Sequence, residues 1–323
     1  MTATWPTATT EGTVSFDDGF TWYRVTGDLS GGAIPLVVLH GGPGCTHDYL
    51  LRLAALSEPE WGGRPVVHYD QIGNGRSSHH PDKGVSYWTP QLFLDELDNL
   101  LDHLGISASY DLLGQSWGGM LAAEHAVRRP AGLNRLVIAD SPASMPLWLA
   151  AAAELRAGLP AGVDDTLRAH EAAGTTESPE YVDAVQVFYD LHVCRVVPNP
   201  PEVTRSLKAI EQDPTVYHMM NGPSEFHVVG SLKDWSVIDR LPQVEAPTLV
   251  VSGYFDEATP ATVRPYVEQI PDVRQLVFAE SAHMPHVEET ERYLRVVSSF
   301  LGGDEPAADH SASTCGARPG TPD

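Results

Sequence analysis

Gly114-Gln115-Ser116-Trp117-Gly118 is the stretch of the chain that decides the fold. It fits the pattern G-x-S-x-G, in which a serine lies at a sharp turn between a strand and a helix with its hydroxyl exposed. Residues 110–113 before it predict a short buried strand, and residues 119–129 after it predict a helix that ends before Pro130. We therefore predict that Ser116 is a nucleophile held on such a turn.

Strands and helices alternate along most of the chain. An amphipathic pattern over 91–104 predicts a helix, and a last helix is predicted over 289–301. This alternation predicts a mostly parallel sheet that is covered by helices on both faces. Apolar runs predict buried strands over 34–39, 65–69, 110–113, 136–139, 248–251 and 275–278, after two antiparallel strands within 13–25 that the turn Asp17-Asp18-Gly19 connects.

The alternation breaks in one long segment that is rich in helix-forming residues and interrupted by prolines. We predict an inserted helical cap over 141–236, between core segments 1–140 and 237–302. Residues 303–323 have almost no large apolar side chains, which predicts a disordered tail. The chain is thus expected to form one core with a large insertion.

The charge of the chain argues against nucleic acid and membranes as partners. Lys and Arg number 20 and Asp and Glu number 43, which gives a formal net charge of −23. Such a surface repels phosphate groups and anionic lipids. No apolar run approaches the ~18 residues of a membrane span, and the N-terminal residues lack the basic and apolar regions of a signal peptide. We therefore predict a cytoplasmic protein.

The three cysteines form no recognisable metal or disulfide pattern. Cys45, Cys194 and Cys315 are far apart and odd in number, and none belongs to a CxxC pair. This spacing predicts neither a disulfide framework nor a zinc site, and it suits a reducing compartment. We predict no metal and no cofactor, and we interpret Cys45, which follows a glycine-rich loop, as a packing residue.

The partners of Ser116 are predicted from two later loops. A serine hydroxyl needs a base within hydrogen-bond reach, and the base needs a carboxylate that orients it. Asp256 and His283 each follow a predicted late strand. The carboxyl ends of adjacent parallel strands bring such loops together, so we predict Asp256 as the acid and His283 as the base. Asp140 and His286 are the alternatives for these two roles.

Two backbone N–H groups are needed to stabilise the negative charge that forms on a substrate carbonyl oxygen during serine attack. The residue after the nucleophile supplies one, which is Trp117 here, and a loop after an early strand supplies the other. That loop is His40-Gly41-Gly42-Pro43-Gly44, whose glycines let the backbone approach a substrate closely. We predict Gly42 and Trp117 as the oxyanion-hole donors.

With these motifs in this order, the chain resembles the proline iminopeptidase family of α/β-hydrolases over roughly residues 12–301. The specific matches are HGGPG, the loop Tyr69-Asp70-Gln71-Ile72-Gly73-Asn74-Gly75-Arg76-Ser77 and the segment Met220-Asn221-Gly222-Pro223-Ser224-Glu225-Phe226. The resemblance implies an α/β-hydrolase fold, with a mostly parallel central sheet, helices on both faces and an inserted helical cap. It also implies a serine hydrolase that releases the N-terminal residue of a peptide or amino-acid amide through an acyl-enzyme.

The same resemblance gives acidic residues a role in substrate binding. In the family, carboxylates hold the free α-amino or imino group of the substrate, and the matching positions here are Glu225 and Glu257. Two carboxylates that face a partly dry pocket favour a cation between them. Tyr217, in the cap before Glu225, is predicted to line the pocket. A compact apolar pocket walled by Trp117 is expected for proline or another small apolar residue.

The predicted partner is therefore a small peptide or amino-acid amide with a free N-terminus. A carboxylesterase or thioesterase of the same fold is the alternative, because one fold hosts many substrates. A neutral ester offers Glu225 and Glu257 nothing to bind, so these residues distinguish the two hypotheses. A non-catalytic binding protein on the same scaffold is a third hypothesis, and the complete set of Ser116, Asp256 and His283 argues against it.

Overall fold

One sheet of eight strands forms the centre of the computed structural model, which describes residues 5–304. The strands are β1 Thr10–Phe16, β2 Gly19–Thr26, β3 Leu36–Leu39, β4 Val66–Asp70, β5 Tyr110–Gln115, β6 Leu133–Ala139, β7 Thr248–Gly253 and β8 Val273–Phe278. Their order is β1-β2-β4-β3-β5-β6-β7-β8. The pairs β1–β2 and β2–β4 are antiparallel, and every other pair of neighbours is parallel. The predicted, mostly parallel sheet is thus confirmed.

Ten α-helices occur in the described residues. They are α1 Pro90–His103, α2 Trp117–Ala126, α3 Met145–Ala157, α4 Val163–Ala173, α5 Pro179–His192, α6 Pro201–Gln212, α7 Thr215–Met220, α8 Pro260–Gln269, α9 Pro285–Glu288 and α10 Thr290–Gly302. Narrower 3-10 helices, with three residues per turn, span His47–Ser57, Pro59–Trp61 and Ile238–Gln243. None of the described helices has the length and apolar character that a membrane crossing requires.

Two apolar layers cover the sheet, one on each face. Successive residues of β3 alternate between them, because side chains along a strand point to opposite faces. Val37 and Leu39 pack in the first layer, and Leu36 and Val38 pack in the second. Helices α1, α2 and α8 contribute to the first layer, whereas α10 and the 3-10 helix His47–Ser57 contribute to the second. Helices therefore cover both faces, which confirms the predicted α/β class.

Five helices, α3 to α7, lie between β6 and β7, in the segment where the sequence predicts a cap. They have a small apolar core of their own, in which Tyr181, Phe188 and Phe226 are buried together. Val216 and Met220 of α7 instead join the first layer of the sheet. The helical insertion is therefore anchored to the layer that also contains the helix after Ser116.

The proposed boundaries of this insertion, 141–236 between core segments 1–140 and 237–302, stay a prediction. Within the predicted disordered tail 303–323, residues beyond 304 lie outside the described part of the chain, as does Cys315. The structure gives the positions of the helices between β6 and β7.

The helix after the serine differs from its predicted bounds of 119–129. It starts at Trp117, because Ser116 itself is the last residue with a non-helical backbone. It ends before Arg129, whose φ of 55° lies outside the right-handed helical region. The early start matters for the site, because it places the first N–H groups of α2 directly beside the serine.

Candidate active site

Ser116 lies on a strained turn between β5 and α2. Its backbone has φ 57° and ψ −123°, a region that a residue with a side chain rarely adopts. The backbones around it are very close: a Cβ on Gly114 would lie 2.0 Å from the Gly118 carbonyl oxygen, and a Cβ on Gly118 would lie 2.1 Å from that of Leu39. The glycines of the motif therefore permit a strained turn of the kind that functional sites maintain.

Asp256 and His283 lie at the same end of the sheet as Ser116. Asp256 follows β7 and His283 follows β8, and the imidazole Nδ1 is 2.7 Å from Asp256 Oδ1. That oxygen also accepts the Ala258 N–H at 2.8 Å, which orients the carboxylate. Ser116 and His283 line one cavity of about 470 Å³. No hydrogen bond joins their side chains within residues 5–304, and such bonds often form fully only when a substrate is bound.

His286, the alternative base, is buried and does not line this cavity. Its Nε2 lies 3.2 Å from the carbonyl oxygen of Tyr49, and its ring packs edge-on against the rings of Tyr49 and Tyr293. Burial lowers the pKa of His286 to about 3. A neutral imidazole in this position has a structural role in the core behind the site.

Asp140, the alternative acid, lies beside Asp256. It follows β6, and its backbone N–H donates to the carbonyl oxygen of Val251 at 2.8 Å. The side chain is fully buried, and neither its two oxygens nor Asp256 Oδ2 has a hydrogen-bond partner in the described residues. Burial, and then the negative charge of Asp256, raises the pKa of Asp140 well above its usual value. Asp140 is therefore expected to be protonated, with a hydroxyl that can donate to an ionised Asp256.

The substitution Asp140→Asn is expected to leave the activity and its pH dependence nearly unchanged. An amide and a protonated carboxyl are both neutral and both donate a hydrogen bond, so kcat/KM between pH 5 and 9 should stay within about threefold of wild type. The comparison variant is Asp256→Asn, which should lose about 10⁴-fold in kcat because the imidazole loses its ionised partner. A shift of the acid limb of Asp140→Asn to lower pH would contradict this, since it would mean that Asp140 carries a negative charge near His283.

The two predicted oxyanion-hole donors border a second, small cavity next to Ser116. Gly42 has a φ of 111°, and a Cβ there would lie 2.3 Å from the Gly44 nitrogen, so only glycine fits. Its N–H donates to no acceptor in the described part of the chain. Trp117 is the first residue of α2, and the N–H of a first helical residue has no acceptor within its helix. The geometry therefore leaves both N–H groups available to a ligand.

The Trp117 side chain packs into the core besides bordering the small cavity. Its Nε1 donates to Gln71 Oε1 at 2.8 Å, and its ring meets Phe93 edge-on at 5.5 Å between centroids. Gln71 is held in turn by the carbonyl oxygen of His40, to which its amide nitrogen donates at 2.9 Å. The Trp117 side chain, predicted as a wall of the pocket, therefore also anchors the first turn of α2 to the core.

The predicted substrate-binding residues are brought together in the larger cavity. Glu225, Glu257 and Tyr217 all line it with Ser116 and His283. The Tyr217 hydroxyl donates to Glu225 Oε1 at 2.9 Å. Glu257 is 2% exposed, and its Oε1 lies 3.7 Å from His283 Nε2. Glu225 comes from the segment after α7 and Glu257 from the loop after β7, so two distant segments place carboxyl groups in the cavity that contains the serine.

These two carboxyl groups are costly to ionise without a cationic partner. Glu225 is partly exposed at the cavity, and burial of its carboxyl raises its pKa above the usual value while the Tyr217 hydroxyl opposes the shift. Burial, and then the charges of Glu225 and Asp256, raises the pKa of Glu257 well above its usual value. Neither oxygen of Glu257 has a hydrogen-bond partner within the described chain. A bound cation is the partner that would restore the ionised form of both groups.

Three further residues belong to the site, and two of them, Tyr189 and Trp148, have no recognisable signal in the sequence. Tyr189 of α5 lines the cavity, and burial and the neighbouring glutamates raise its pKa well above the usual value. Trp148 of α3 donates its Nε1–H to the Glu225 carbonyl oxygen at 2.6 Å and meets the His283 ring at 6.0 Å. Cys45 also lines the cavity, and burial raises its pKa to about 12, so its thiol is not a nucleophile. Helical spacing alone predicts none of these contacts.

The site holds no arrangement of metal ligands. Within residues 5–304, no group of three or more His, Cys, Asp and Glu side chains is placed so that it could hold a metal ion. The polar groups described above instead converge on Ser116, His283 and the carboxyls of Glu225 and Glu257.

Comparison with known proteins places the chain in a family. Residues 34–290 match the family model of the alpha/beta hydrolase fold. A proline iminopeptidase of Heyndrickxia coagulans is 36% identical over 274 residues, which cover 85% of this chain and 92% of the relative. The chain belongs to the proline iminopeptidase family of α/β-hydrolases. The fold and the family that the sequence motifs predict are both confirmed.

Solved structures agree with this membership. The crystal structure of a proline iminopeptidase from Mycobacterium smegmatis matches this chain with a TM-score of 0.85 and 53% sequence identity. The match covers 91% of this chain and 98% of that one. The crystal structure of VinJ matches with a TM-score of 0.90 and 56% identity, over 92% of this chain and 99% of that one. The chain is therefore a hydrolase of this family along nearly its whole described length.

Proposed function

We propose that this enzyme releases the N-terminal residue of small peptides or amino-acid amides through an acyl-enzyme. The observation that carries the proposal is the presence of Glu225 and Glu257 in the same cavity as Ser116 and His283. No lysine or arginine of the described chain lines that cavity to neutralise them. A substrate ammonium group supplies the missing charge, and the proline iminopeptidases among the relatives are named for a reaction on such substrates.

In the first half of the reaction, Ser116 Oγ attacks the carbonyl carbon that follows the free amine. His283 takes the serine proton through Nε2, while Asp256 holds Nδ1 and stabilises the imidazolium. The N–H groups of Gly42 and Trp117 bind the oxygen as it becomes negative. The imidazolium then gives its proton to the leaving amine, the C–N bond breaks, and an ester of Ser116 remains.

In the second half, a water molecule replaces the leaving amine. His283 takes a proton from the water, which attacks the ester carbonyl and forms a second tetrahedral intermediate. Its collapse returns the proton to Ser116 Oγ and releases the free amino acid. Glu225 and Glu257 hold the ammonium group throughout both steps, so they fix which carbonyl lies over the serine. An acylated N-terminus would leave both glutamates without a partner.

The two cavities suggest where the parts of a substrate lie. The small one is bordered by Gly42, Ser116, Trp117 and Glu225 and has apolar walls from Met120, Met145 and Trp148. Its volume of about 10 Å³ is near the lower limit for one water molecule. We therefore propose that the larger cavity takes both the first residue and the leaving group, and that the apolar walls of the small one lie against the side chain of proline or another small apolar first residue. The cytoplasm as compartment and the exclusion of nucleic acid stay predictions from composition.

The test compares p-nitroanilides of L-proline and L-alanine with their N-acetylated forms and with a p-nitrophenyl ester. We expect kcat/KM for the free-amine anilides to exceed that for the acetylated ones by at least about 100-fold, because a buried carboxylate without its partner costs several kcal/mol. The ratio of kcat/KM for the proline and alanine anilides then measures the selectivity for the first side chain. Turnover of the ester alone, with no preference for a free amine, would replace this proposal by the esterase hypothesis.

A further inference from the structure

The hydroxyl of Tyr49 lies where three segments of the site meet. It accepts the Gly41 N–H at 2.7 Å and donates to Gln115 Oε1. The amide nitrogen of Gln115 continues the connection, because it donates to the carbonyl oxygen of His283 at 2.9 Å. An unbroken row of three hydrogen bonds thus runs from Gly41 through Tyr49 and Gln115 to His283.

Three residues of this row are next to, or are themselves, groups that the proposed reaction uses. Gly41 precedes the oxyanion-hole donor Gly42, Gln115 precedes Ser116, and the last contact is with His283 itself. The three segments follow or end β3, β5 and β8, so no covalent connection keeps them in register. β3 and β5 are paired in the sheet, and the row of hydrogen bonds connects both of them to the segment after β8.

The row is almost completely buried at the edge of the larger cavity. Tyr49 is 2% exposed and Gln115 is 1% exposed, and both line that cavity. Burial raises the pKa of Tyr49 well above its usual value, which keeps its hydroxyl a donor. The segments are also in close contact, because a Cβ on Gly41 would lie 2.9 Å from both Ser116 Cβ and the Tyr49 hydroxyl oxygen.

We propose that Tyr49 and Gln115 are positioning residues that set the spacing between Ser116, its oxyanion-hole donor and His283. Neither touches the reacting atoms in the proposed mechanism, so they act through the groups they hold. The role rests on the proposed function, because it presupposes that Ser116 and His283 react with the substrate. A displacement of reacting groups by about 1 Å lowers the reaction rate by about 100-fold, so residues that fix their spacing have a large effect on kcat.

The first test variant is Tyr49→Phe, which removes one hydroxyl and leaves the ring in place. We expect kcat for L-alanine p-nitroanilide to fall between about 10-fold and 100-fold, with KM within about threefold, because the amine site is unchanged. Gln115→Met removes both bonds of the amide at similar volume and should give a loss at least as large. If Tyr49→Phe does not fold, a normal kcat of Gln115→Met would refute the proposal instead.

The matched control is Tyr110→Phe. Tyr110 is also a fully buried tyrosine with a hydrogen-bonded hydroxyl, which contacts His125 at 2.5 Å at the opposite end of β5. We expect it to lower the melting temperature about as much as Tyr49→Phe but to keep kcat within about twofold. A Tyr49→Phe variant with normal kcat and only a lower melting temperature would overturn the positioning role, since it would show that the row is merely structural.

A second readout separates this proposal from the proposed substrate. A fluorophosphonate probe reacts with an activated serine whether or not the substrate carries an amine. We expect labelling of Ser116 to slow between about 10-fold and 100-fold in Tyr49→Phe and to be unchanged in Tyr110→Phe. Equal labelling of Tyr49→Phe and wild type would overturn the positioning role alone. A wild type that is labelled but does not cleave free-amine anilides would overturn the proposed substrate and leave the positioning role supported.

Discussion

Replacing Ser116 by alanine is expected to lower kcat for a free-amine anilide by at least about 10⁴-fold, because no other group can form the acyl-enzyme. Binding should persist, since Glu225 and Glu257 still face the cavity. Calorimetry with L-prolinamide, which the variant cannot hydrolyse, should therefore give a Kd close to the KM of the wild type for L-prolinamide. The two measurements together separate loss of chemistry from loss of the site.

The matched control is Ser252→Ala, a buried serine in β7 to which the mechanism gives no role. It should keep kcat within about twofold of wild type. Turnover by Ser116→Ala close to that of wild type, with the same dependence on a free amine, would contradict the assignment of the nucleophile. Cys45 is a poor substitute in that case, because burial raises its pKa to about 12 and it stays a thiol.

Substitution of Glu257 by glutamine is expected to remove the preference for a free amine. Glutamine has the same shape but cannot ionise when an ammonium group arrives, and loss of one member of a buried charge pair costs about 2–5 kcal/mol. We therefore expect kcat/KM for L-alanine p-nitroanilide to fall about 30-fold or more. Hydrolysis of a neutral p-nitrophenyl ester should change less than about threefold, because an ester does not use the anchor.

The ester is essential here because Glu257 Oε1 also lies 3.7 Å from His283 Nε2. An equal loss on ester and anilide would mean that Glu257 acts on the base and not on the amine. Glu211→Gln is the matched control, since it removes the same charge from an exposed position of the same cavity and should change neither rate by more than about twofold. Unchanged anilide hydrolysis in Glu257→Gln would refute the amine anchor.

The sequence predicts those parts of the molecule that depend on local chemistry. The turn at Ser116 needs small residues close to it in the sequence, and buried parallel strands need continuous apolar runs. The turn and the sheet can therefore both be predicted from the sequence. The pairing of Asp256 with His283 follows from a general property of parallel sheets, whose carboxyl ends meet at one edge. The assignment of roles to these residues still awaits the experiments above.

The parts that the sequence does not predict depend on contacts between distant segments. Asp140 is predicted only as a rival acid, and its burial against Asp256 appears only when β6 and β7 are placed side by side. Trp117 is predicted as a wall of the pocket, whereas the partner of its indole N–H is Gln71 on another loop. Tyr49 lies in a 3-10 helix, and its contact with Gln115, 66 residues further along the chain, has no local signature in the sequence.

The raised pKa values of Glu225 and Glu257 have a consequence for how the enzyme takes up its substrate. A raised pKa favours the protonated carboxyl, so in the free enzyme a proton can take the place of a cation at Glu257. In the proposed reaction, an arriving ammonium group would displace that proton into the solvent. Uptake of a peptide would then exchange one cation for another, and we expect the heat of binding to depend on which buffer accepts the proton.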